Sequence, residues 1–318
     1  MTRFRDWRGW VAAFTLLPAA AFLIGTVAGP AVGAEPAKSP KGAPSLSTSD
    51  RTVHPNEKVT VRGRFRPLGT QSAGIGAEPA PATQPVRIQF RALGSKYWHE
   101  ARATRAGKAG RFKERVRVER SGRIRAISSD GRATGADKVT VRSVTHASVE
   151  KRAKVGQKVT IKGRVAPAGT KRKVTVKVGG EKLRAHTNRK GRFKTKWKPS
   201  HAGHDRVRVR AAGNLIAKGS KAKAGRVTVF RAAEASWYGP GLYGNGVACG
   251  GTLKPSTMGV AHKTLPCGTK LTIRYHGRQV KAKVIDRGPY VAGREFDLTE
   301  AVKNKLGMGG IGTILVDR

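Results

Sequence analysis

The stretch Val280–Leu298 reads VKAKVIDRGPYVAGREFDL, and the organisation of the C-terminal part of the chain follows from it. Its first residues alternate between apolar and basic side chains, and a period of two is typical of a strand with one buried face. Asp286 therefore falls where a predicted strand ends and a Gly-Pro turn begins. Such a position often displays a functional side chain on a rigid support. A second carboxylate, Asp297, follows the turn.

Four ordered motifs characterise the C-terminal block. They are Ala235–Gly239 (ASWYG), Gly259–Pro266 (GVAHKTLP), Val284–Tyr290 (VIDRGPY) and Phe296–Thr299 (FDLT). Together they resemble the double-psi β-barrel of the rare lipoprotein A family, septal lytic transglycosylases that are related more distantly to plant expansins. The resemblance covers Ala235–Arg318 and implies that this block acts on peptidoglycan glycan strands.

The pattern within the block predicts mostly strands and one short helix, which suits a six-stranded barrel. A Gly-rich loop follows the first motif, and His276-Gly277 is predicted to make a hairpin turn. A helix is predicted over Leu298–Leu306, because Gly307 would end it there. The predicted strands after the loop are Lys270–Tyr275, Arg278–Ile285 and Thr313–Val316.

An internal repeat precedes the block. Lys58–Arg64 (KVTVRGR) returns as Lys158–Arg164 (KVTIKGR), and the sequence Gly-Arg-Phe-Lys occurs once in each copy. The first copy carries an insertion, assigned to Gly69–Pro85. Short alternating strands between Gly and Pro turns predict a small β-sandwich for each copy. The copies resemble bacterial immunoglobulin-like domains, a class too diverse to imply a ligand.

The N-terminus has a basic start, an apolar centre and small residues before Glu35, a pattern that predicts a secretory signal peptide. An uncleaved membrane anchor is the alternative, since the apolar run is long enough to span a bilayer. We therefore expect an exported, cell-wall protein. The predicted order is signal peptide 1–34, linker 35–49, sandwich repeats 50–145 and 146–232, a short hinge at Ala232–Ala235, and the barrel 235–318.

The charge balance is strongly positive. The chain has 64 basic and 19 acidic residues, a net charge of +45, and most of the excess lies in residues 35–234. An exported protein this basic should adhere to polyanions, so anionic wall polymers and acidic membrane surfaces are the expected partners. Nucleic acid is not expected, because an exported chain rarely meets it. We expect a monomer.

The chain has only two cysteines, Cys249 and Cys267, both in the C-terminal block. In an oxidising compartment such a pair is predicted to form a disulfide, with two buried free thiols as the alternative. Two cysteines and no His pair at ligand spacing speak against a structural zinc site. No nucleotide-binding loop is present, so neither a metal nor a cofactor is expected.

Cleavage of a glycosidic bond needs an acid that protonates the leaving oxygen. A lytic transglycosylase manages with one, because the 6-hydroxyl of N-acetylmuramic acid attacks its own anomeric carbon. Asp286 matches the family's functional aspartate and is our candidate general acid, then base. A turn-forming Asp that accepts backbone N–H groups is the alternative. His262 matches the motif histidine and is predicted to assist, although a lone His is ordinarily a satisfied polar residue.

Several residues are predicted to bind the glycan. Asp297 matches an aspartate that lines the groove of expansin-like barrels, but it could equally be the N-cap of the predicted helix. The aromatic side chains are candidates for stacking on sugar rings, with core packing favoured for Trp237. Many family members carry an acid in the opening loop, and Ala248–Gly251 has none. The full predicted binding set is Asp297, Tyr238, Trp237, Ser236 and Tyr290.

Three functions follow from these features. The first is a lytic transglycosylase, and the second is a non-catalytic, expansin-like module that binds and loosens polysaccharide with the same groove. The third is a wall adhesin in which the barrel is only a scaffold. The basic repeats are expected to act as a spacer and a wall anchor.

Overall fold

The computed structural model of the chain describes residues 43–66, 83–107 and 109–318. The predicted signal peptide 1–34 and most of the predicted insertion lie outside these residues. Within the described ranges, no helix is long and apolar enough to cross a membrane.

The first repeat is built from two sheets. The strand orders are β1-β3-β6 and β2-β8-β7-β4-β5. The eight strands are β1 (Ser45–Thr48), β2 (Thr52–Val53), β3 (Glu57–Arg64), β4 (Gln84–Ala92), β5 (His99–Ala106), β6 (Arg111–Val118), β7 (Gly122–Ser128) and β8 (Asp137–Val141).

The second repeat has the same plan. One sheet has the order β14-β11-β9, and the other has the order β13-β12-β15-β16 with β10 pairing β16. Each strand of the second repeat therefore corresponds to the strand of the first repeat whose number is lower by eight. The strands are β9 (Val144–Val149), β10 (Arg152–Lys154), β11 (Val159–Ala166), β12 (Lys173–Val178), β13 (Glu181–His186), β14 (Arg192–Trp197), β15 (Gly203–Ala211) and β16 (Ser220–Tyr238).

The repeated sequence motifs have a packing explanation. Gly63 of β3 lies opposite Phe112 of β6, and a Cβ at Gly63 would stand 2.3 Å from the phenyl ring. Gly163 lies opposite Phe193 in the second copy, where a Cβ would stand 2.6 Å from the ring. Real Cβ atoms do not approach so closely, so each glycine makes room for a buried phenylalanine from the neighbouring strand. Each sandwich then encloses its own core of alternating Val, Ile and Phe side chains.

Strand β16 overturns one predicted boundary. It runs without interruption from the second repeat into the C-terminal block, so the predicted hinge at Ala232–Ala235 is wrong. Those residues pair with the last strand of the chain, and Ala233 and Ala235 enter its core. Small residues suggested a hinge, but alanines also fit where two strands pack closely.

The predicted linker 35–49 is wrong at its C-terminal end. Residues Ser45–Thr48 form β1, which pairs with β3 in antiparallel register, and Leu46 packs against the core of the first repeat. A four-residue strand with one apolar side chain is too weak a pattern to stand out in a segment rich in Pro, Ser and Lys.

The C-terminal block closes into a barrel of six strands. The new elements are β17 (Gly259–His262), β18 (Lys270–Tyr275), β19 (Arg278–Asp286), β20 (Phe296–Thr299), α1 (Glu300–Leu306) and β21 (Gly312–Val316). The strand order is β16-β20-β17-β19-β18-β21, and β21 pairs back with β16. The predicted fold class, mostly β with two sandwiches followed by a six-stranded barrel, is confirmed.

Local sequence features of the barrel also agree with the structure. His276 and Gly277 have φ values of 42° and 85° and join β18 to β19, as a two-residue hairpin turn requires. Helix α1 ends at Gly307, whose φ of 68° is left-handed. Val280, Ala282 and Val284 point into the core, which confirms the alternation that predicted β19.

Candidate active site

The barrel register aligns the predicted carboxylates. Ser236 of β16 lies opposite Asp297 of β20, which lies opposite Ala261 of β17, which in turn lies opposite Asp286 of β19. A bulge in the β17–β19 pairing skips one residue and brings Asp286 to this position. All four sequence motifs therefore supply a side chain to one row of the barrel wall.

Asp286 uses its two carboxylate oxygens differently. Oδ1 accepts hydrogen bonds from the backbone N–H groups of Ala248 and Arg287, each at 2.9 Å. Oδ2 accepts no hydrogen bond of good geometry from any described residue, although the Tyr238 hydroxyl lies close to this carboxylate, and the side chain is half-buried. The turn-stabilising role and a chemical role are thus compatible, because one oxygen fixes the side chain and the other is available.

Asp297 is a strand residue and does not cap the helix. Helix α1 begins at Glu300 with Thr299 as its N-cap residue, so the N-cap alternative for Asp297 is wrong. The Thr299 hydroxyl donates to the carbonyl oxygen of Thr257 at 2.6 Å and accepts from the N–H of Gly259 at 3.2 Å. These bonds hold the chain in the sheet for two residues beyond the predicted helix start.

A group of buried polar atoms around Asp297 lacks partners. Within the described part of the chain, Ser236 Oγ, Tyr238 Oη and Asp297 Oδ1 are enclosed and make no hydrogen bond of good geometry. All three lie on adjacent strands of the same wall. Buried polar groups in native proteins are almost always paired, so these groups are available to a ligand or to one another, since Ser236 lies beside Asp297 and Tyr238 beside Asp286.

Burial shifts the pKa values of two members of this group, Asp297 and Tyr238, upward. Burial raises the pKa of Asp297 above its ordinary value, while the neighbouring Ser236 hydroxyl and the charge of Arg294 act in the opposite direction. Burial also raises the pKa of Tyr238, and the charges of Asp286 and Asp297 raise it further. Tyr238 therefore stays a neutral hydroxyl donor beside two carboxylates.

Both ring nitrogens of His262 have partners within the protein. Nδ1 accepts from the backbone N–H groups of Thr264 and Leu265 at 3.1 and 3.0 Å, and Nε2 lies 3.4 Å from Glu295 Oε1. The ring is 8% exposed and packs on Phe296 with ring centroids 4.8 Å apart. Its hydrogen bonds do not include Asp286.

Sequence reasoning missed an ion pair beneath the site. Arg231 of β16 binds both carboxylate oxygens of Glu295, with its Nη1 2.7 Å from Oε2. The Arg231 guanidinium holds the pKa of Glu295 below its ordinary value, and burial acts in the opposite direction. The two residues are 64 positions apart. No local pattern relates residues at that separation, although the position of Glu295 directly before the Phe-Asp-Leu-Thr motif was a clue.

The aromatic candidates occupy different surroundings. Trp237 packs against the barrel core, and the Lys303 ammonium lies 3.9 Å from its ring centroid, so one ring face is covered. Tyr290 is 79% exposed in the turn after Asp286. The Tyr243 hydroxyl, which the sequence did not single out, donates to the Glu300 carboxylate and fixes the Gly-rich loop to the helix.

The predicted disulfide is present and lies beside the site. Cys249 and Cys267 are bonded with a Cα–Cα distance of 5.6 Å. The Cys249 N–H donates to the carbonyl oxygen of Ile285 at 3.0 Å, next to Asp286. The disulfide thus constrains the loop whose Ala248 N–H holds the Asp286 carboxylate. Among the described residues, no group of His, Cys, Asp or Glu side chains is placed to hold a metal ion.

The sequence of this block matches a known family. Residues 231–317 match the family model described as "Lytic transglycolase". Over 76 residues the chain is 46% identical to the probable endolytic peptidoglycan transglycosylase RlpA of Aquifex aeolicus, which covers 23% of this chain and 34% of the relative. Residues 231–317 form an RlpA-like domain.

Two further relatives align with the RlpA-like domain. The endolytic peptidoglycan transglycosylase RlpA of Campylobacter jejuni is 42% identical over 81 residues, 25% of this chain and 30% of the relative. The probable enzyme of the same name from Synechocystis is 34% identical over 116 residues, 32% of this chain and 36% of the relative. The chain spans about a third of the length of these curated relatives.

Among solved structures, the Streptomyces papain inhibitor is similar to 27% of this chain and 92% of its own, with 27% sequence identity and a TM-score of 0.22.

Proposed function

We propose that the C-terminal barrel cleaves peptidoglycan glycan strands as a lytic transglycosylase. The observation that carries the proposal is the free Oδ2 of Asp286 beside the unpartnered groups of Ser236, Tyr238 and Asp297. Relatives of the RlpA-like domain are named endolytic peptidoglycan transglycosylases, which supports the same reaction.

In the proposed reaction, Asp286 protonates the glycosidic oxygen as the bond from the anomeric carbon of N-acetylmuramic acid to that oxygen breaks. The 6-hydroxyl of the same sugar then bonds to the anomeric carbon and gives its proton to the Asp286 carboxylate. The products are a 1,6-anhydro end and a free hydroxyl, so no water is consumed. One carboxylate serves as acid and then base, and the two fixed bonds to Oδ1 keep Oδ2 aimed at the sugar.

The neighbouring residues are proposed to bind the sugar. Asp297, Ser236 and Tyr238 would replace their missing hydrogen bonds with sugar hydroxyls. Tyr290 offers an exposed ring for stacking, and Trp237 contributes through one partly covered ring. We assign His262 the role of a positioning residue, since its Nδ1 accepts from the N–H of Leu265, whose carbonyl oxygen accepts from Arg287 Nη1 at 2.9 Å, and Asp286 directly precedes Arg287.

The basic repeats are proposed to hold the barrel in the cell wall of an exported protein. Their two cores are separate from the barrel core, so they extend the chain away from the catalytic domain. Their exposed Lys and Arg side chains favour retention by anionic wall polymers.

A non-catalytic, expansin-like binding function is the second candidate. It is favoured by Ala248–Gly251, where the loop that approaches Asp286 supplies a backbone N–H but no carboxylate. The same groove could then bind a glycan strand and loosen its neighbours without cutting it.

One assay separates the two functions. Purified sacculi, intact and amidase-treated, are incubated with the protein, and the soluble fraction is analysed by mass spectrometry for 1,6-anhydro muropeptides. Asp286→Asn keeps the acceptor for Ala248 and Arg287 but removes the acid, so product release should fall by about 10²–10⁴-fold.

Glu234→Gln, which changes an exposed carboxylate on the same barrel, is the matched control and should keep full activity. Wild-type protein that pellets with the wall yet releases no anhydro product supports the binding function instead.

A further inference from the structure

Four cations stand side by side on the outer surface of the second repeat. The register across β13, β12, β15 and β16 places them in one row, which consists of Lys182, Lys177, Arg208 and Lys223. All four side chains are exposed. Neighbouring strands are about 4.8 Å apart, so like charges directly opposite one another repel. A folded protein keeps such a row more easily when an external anion neutralises it.

A second row runs parallel to the first, two residues further along the strands. It consists of Arg184, Thr175, Arg210 and Lys221. Alternate residues on a strand are about 6.7 Å apart, so the two rows form one compact charged surface. We call the residues of both rows the cationic face. None of its seven cations lies within ion-pair distance of a carboxylate in the part of the chain that the structure describes.

The cationic face is grooved, and the groove continues toward the first repeat. One depression is lined by cations of both rows, and a second one shares Arg210 and Lys221 with it. The second depression adds Lys218, Arg142 and His54, the last of which belongs to the first repeat. A continuous basic track therefore leads from the middle of the second repeat to its junction with the first.

The corresponding face of the first repeat is different. Glu100 and Gln89 lie in one row with Arg125, and the Trp98 ring is contacted by the Arg91 and Arg125 guanidinium groups at 4.7 and 4.2 Å. In the next row Arg91 lies opposite Arg123, which lies opposite Lys138, but this row spans three strands and Arg91 stacks on the Trp98 ring. An uninterrupted row of cations across four strands is thus a feature of the second repeat and does not follow from the sandwich fold itself.

We propose that the cationic face binds a linear polymer of phosphodiester units, running across the four strands. Three of the four cations in the first row are lysines and one is an arginine, and both residue types bind phosphate, lysine as a point charge and arginine through its planar guanidinium. The two rows contain no Trp, Tyr or Phe, on which sugar rings or the bases of a single-stranded nucleic acid would stack. The choice of a wall polymer as the ligand rests on the proposed wall-anchoring role. The choice of the cationic face as the binding surface rests on the strand register and on the exposure of its side chains.

The test compares two full-length variants with the same loss of charge. The face variant carries Lys177→Gln, Lys182→Gln, Arg208→Gln and Lys223→Gln. The control variant changes four exposed cations on the opposite sheet of the same repeat, with Lys162→Gln, Arg164→Gln, Arg192→Gln and Lys194→Gln. Dissociation constants for poly(glycerol phosphate) are measured as a function of salt concentration.

The face variant should bind at least about tenfold more weakly at low salt. In a plot of the logarithm of the binding constant against the logarithm of the salt concentration, its slope should be flatter by about 3, because four fewer phosphate contacts release fewer counterions. The control variant should lose less than about threefold. Both variants should cleave soluble glycan strands like the wild type, so a failure of the anchor is distinguishable from a failure of the barrel. The unfolding midpoint of the face variant should not fall, since like charges have been removed.

Equal weakening in the two variants would overturn the proposal, because binding would then follow net charge alone. Tighter binding of polygalacturonate than of poly(glycerol phosphate) would indicate a carboxylate polymer, and tighter binding of duplex DNA a nucleic-acid interface; either result contradicts the assignment. If the fourfold variant does not fold, Arg208→Gln alone should still weaken binding by about threefold, and an unchanged affinity would count against the face.

Discussion

The barrel and the second repeat share strand β16, but they leave opposite kinds of polar group without partners. In the barrel these are the recessed groups of Ser236, Tyr238 and Asp297, which only a ligand that reaches into the barrel wall can meet. In the second repeat they are exposed cations such as Lys177 and Arg208, which any passing anion can reach. Recessed hydrogen-bonding groups select for the shape of a sugar, whereas open rows of charge select for charge and length.

The shared strand also fixes the distance between the two surfaces. Lys223 of the cationic face and Ser236 of the candidate active site are separated along β16 by roughly 40 Å of extended backbone. Side chains reinforce the junction, because His204 Nε2 lies 3.1 Å from Asp317 Oδ2 and the Arg274 guanidinium lies 5.5 Å from the Phe230 ring centroid. A polymer held by the repeat would therefore keep the barrel at a set distance from the point of attachment.

The largest effect expected from this comparison concerns the disulfide. Only the barrel is cross-linked, and closing its 18-residue loop contributes about 3 kcal/mol to the free energy of unfolding. Cys249→Ala with Cys267→Ala should therefore speed amide hydrogen exchange in β19 and leave exchange in β11 nearly unchanged. Reduction of the wild type by dithiothreitol serves as the control and should give the same pattern. Equal acceleration in both strands would mean that barrel and repeat unfold as one unit.

A smaller effect is expected at Asp297. Because its folded pKa is raised by burial, the ionised carboxylate destabilises the fold, and this cost is present above the folded pKa and disappears as pH falls below the unfolded value. Asp297→Asn should therefore raise the unfolding midpoint at pH 7, and the difference from the wild type should shrink as pH falls through the pKa of Asp297.

The same substitution should weaken glycan binding at least tenfold, since a hydrogen bond to a charged group contributes about 1.5–3 kcal/mol. Calorimetric binding to peptide-free glycan strands checks this. A variant that is less stable at pH 7 and binds normally would show that Asp297 has only a structural role.

The smallest effect is expected at Tyr238. Its hydroxyl is buried and makes no hydrogen bond of good geometry among the described residues, so Tyr238→Phe should not lower the free energy of unfolding. The KM for glycan strands should rise by about fivefold, the loss of one neutral hydrogen bond. Tyr243→Phe is the matched control, because that hydroxyl binds Glu300 and its loss should lower the free energy of unfolding. A large loss of stability in Tyr238→Phe would refute the ligand-facing assignment.

Much of the fold followed from local patterns. The alternation before Asp286, the His276-Gly277 turn and the Gly307 helix end all correspond to structure, because each depends on residues close in sequence. The hinge prediction failed, since whether Ala232–Ala235 bends or pairs depends on β21, about 80 residues later. The periodicity of apolar residues along one strand does not indicate which other strand it pairs with.

The candidate site was accessible to sequence reasoning only in part. Motif residues such as Asp286 and Asp297 were identified by resemblance, and the structure aligns them across adjacent strands. The partners of His262 could not be foreseen, because Glu295 reaches it through the fold and is itself held by Arg231. The cationic face could not be predicted for a similar reason. The overall charge was evident from the sequence, but which cations lie side by side on four strands depends on the strand register.

Isotope labelling during cleavage shows whether the sugar's 6-hydroxyl or water attacks the anomeric carbon. Sacculi are digested with the protein in H₂¹⁸O, and the new muramic acid ends are analysed by mass spectrometry. Attack by the sugar's own 6-hydroxyl, with Asp286 as the single acid and base, predicts 1,6-anhydro ends that contain no ¹⁸O. Reducing ends that carry one ¹⁸O would show that water is the nucleophile and would contradict the account.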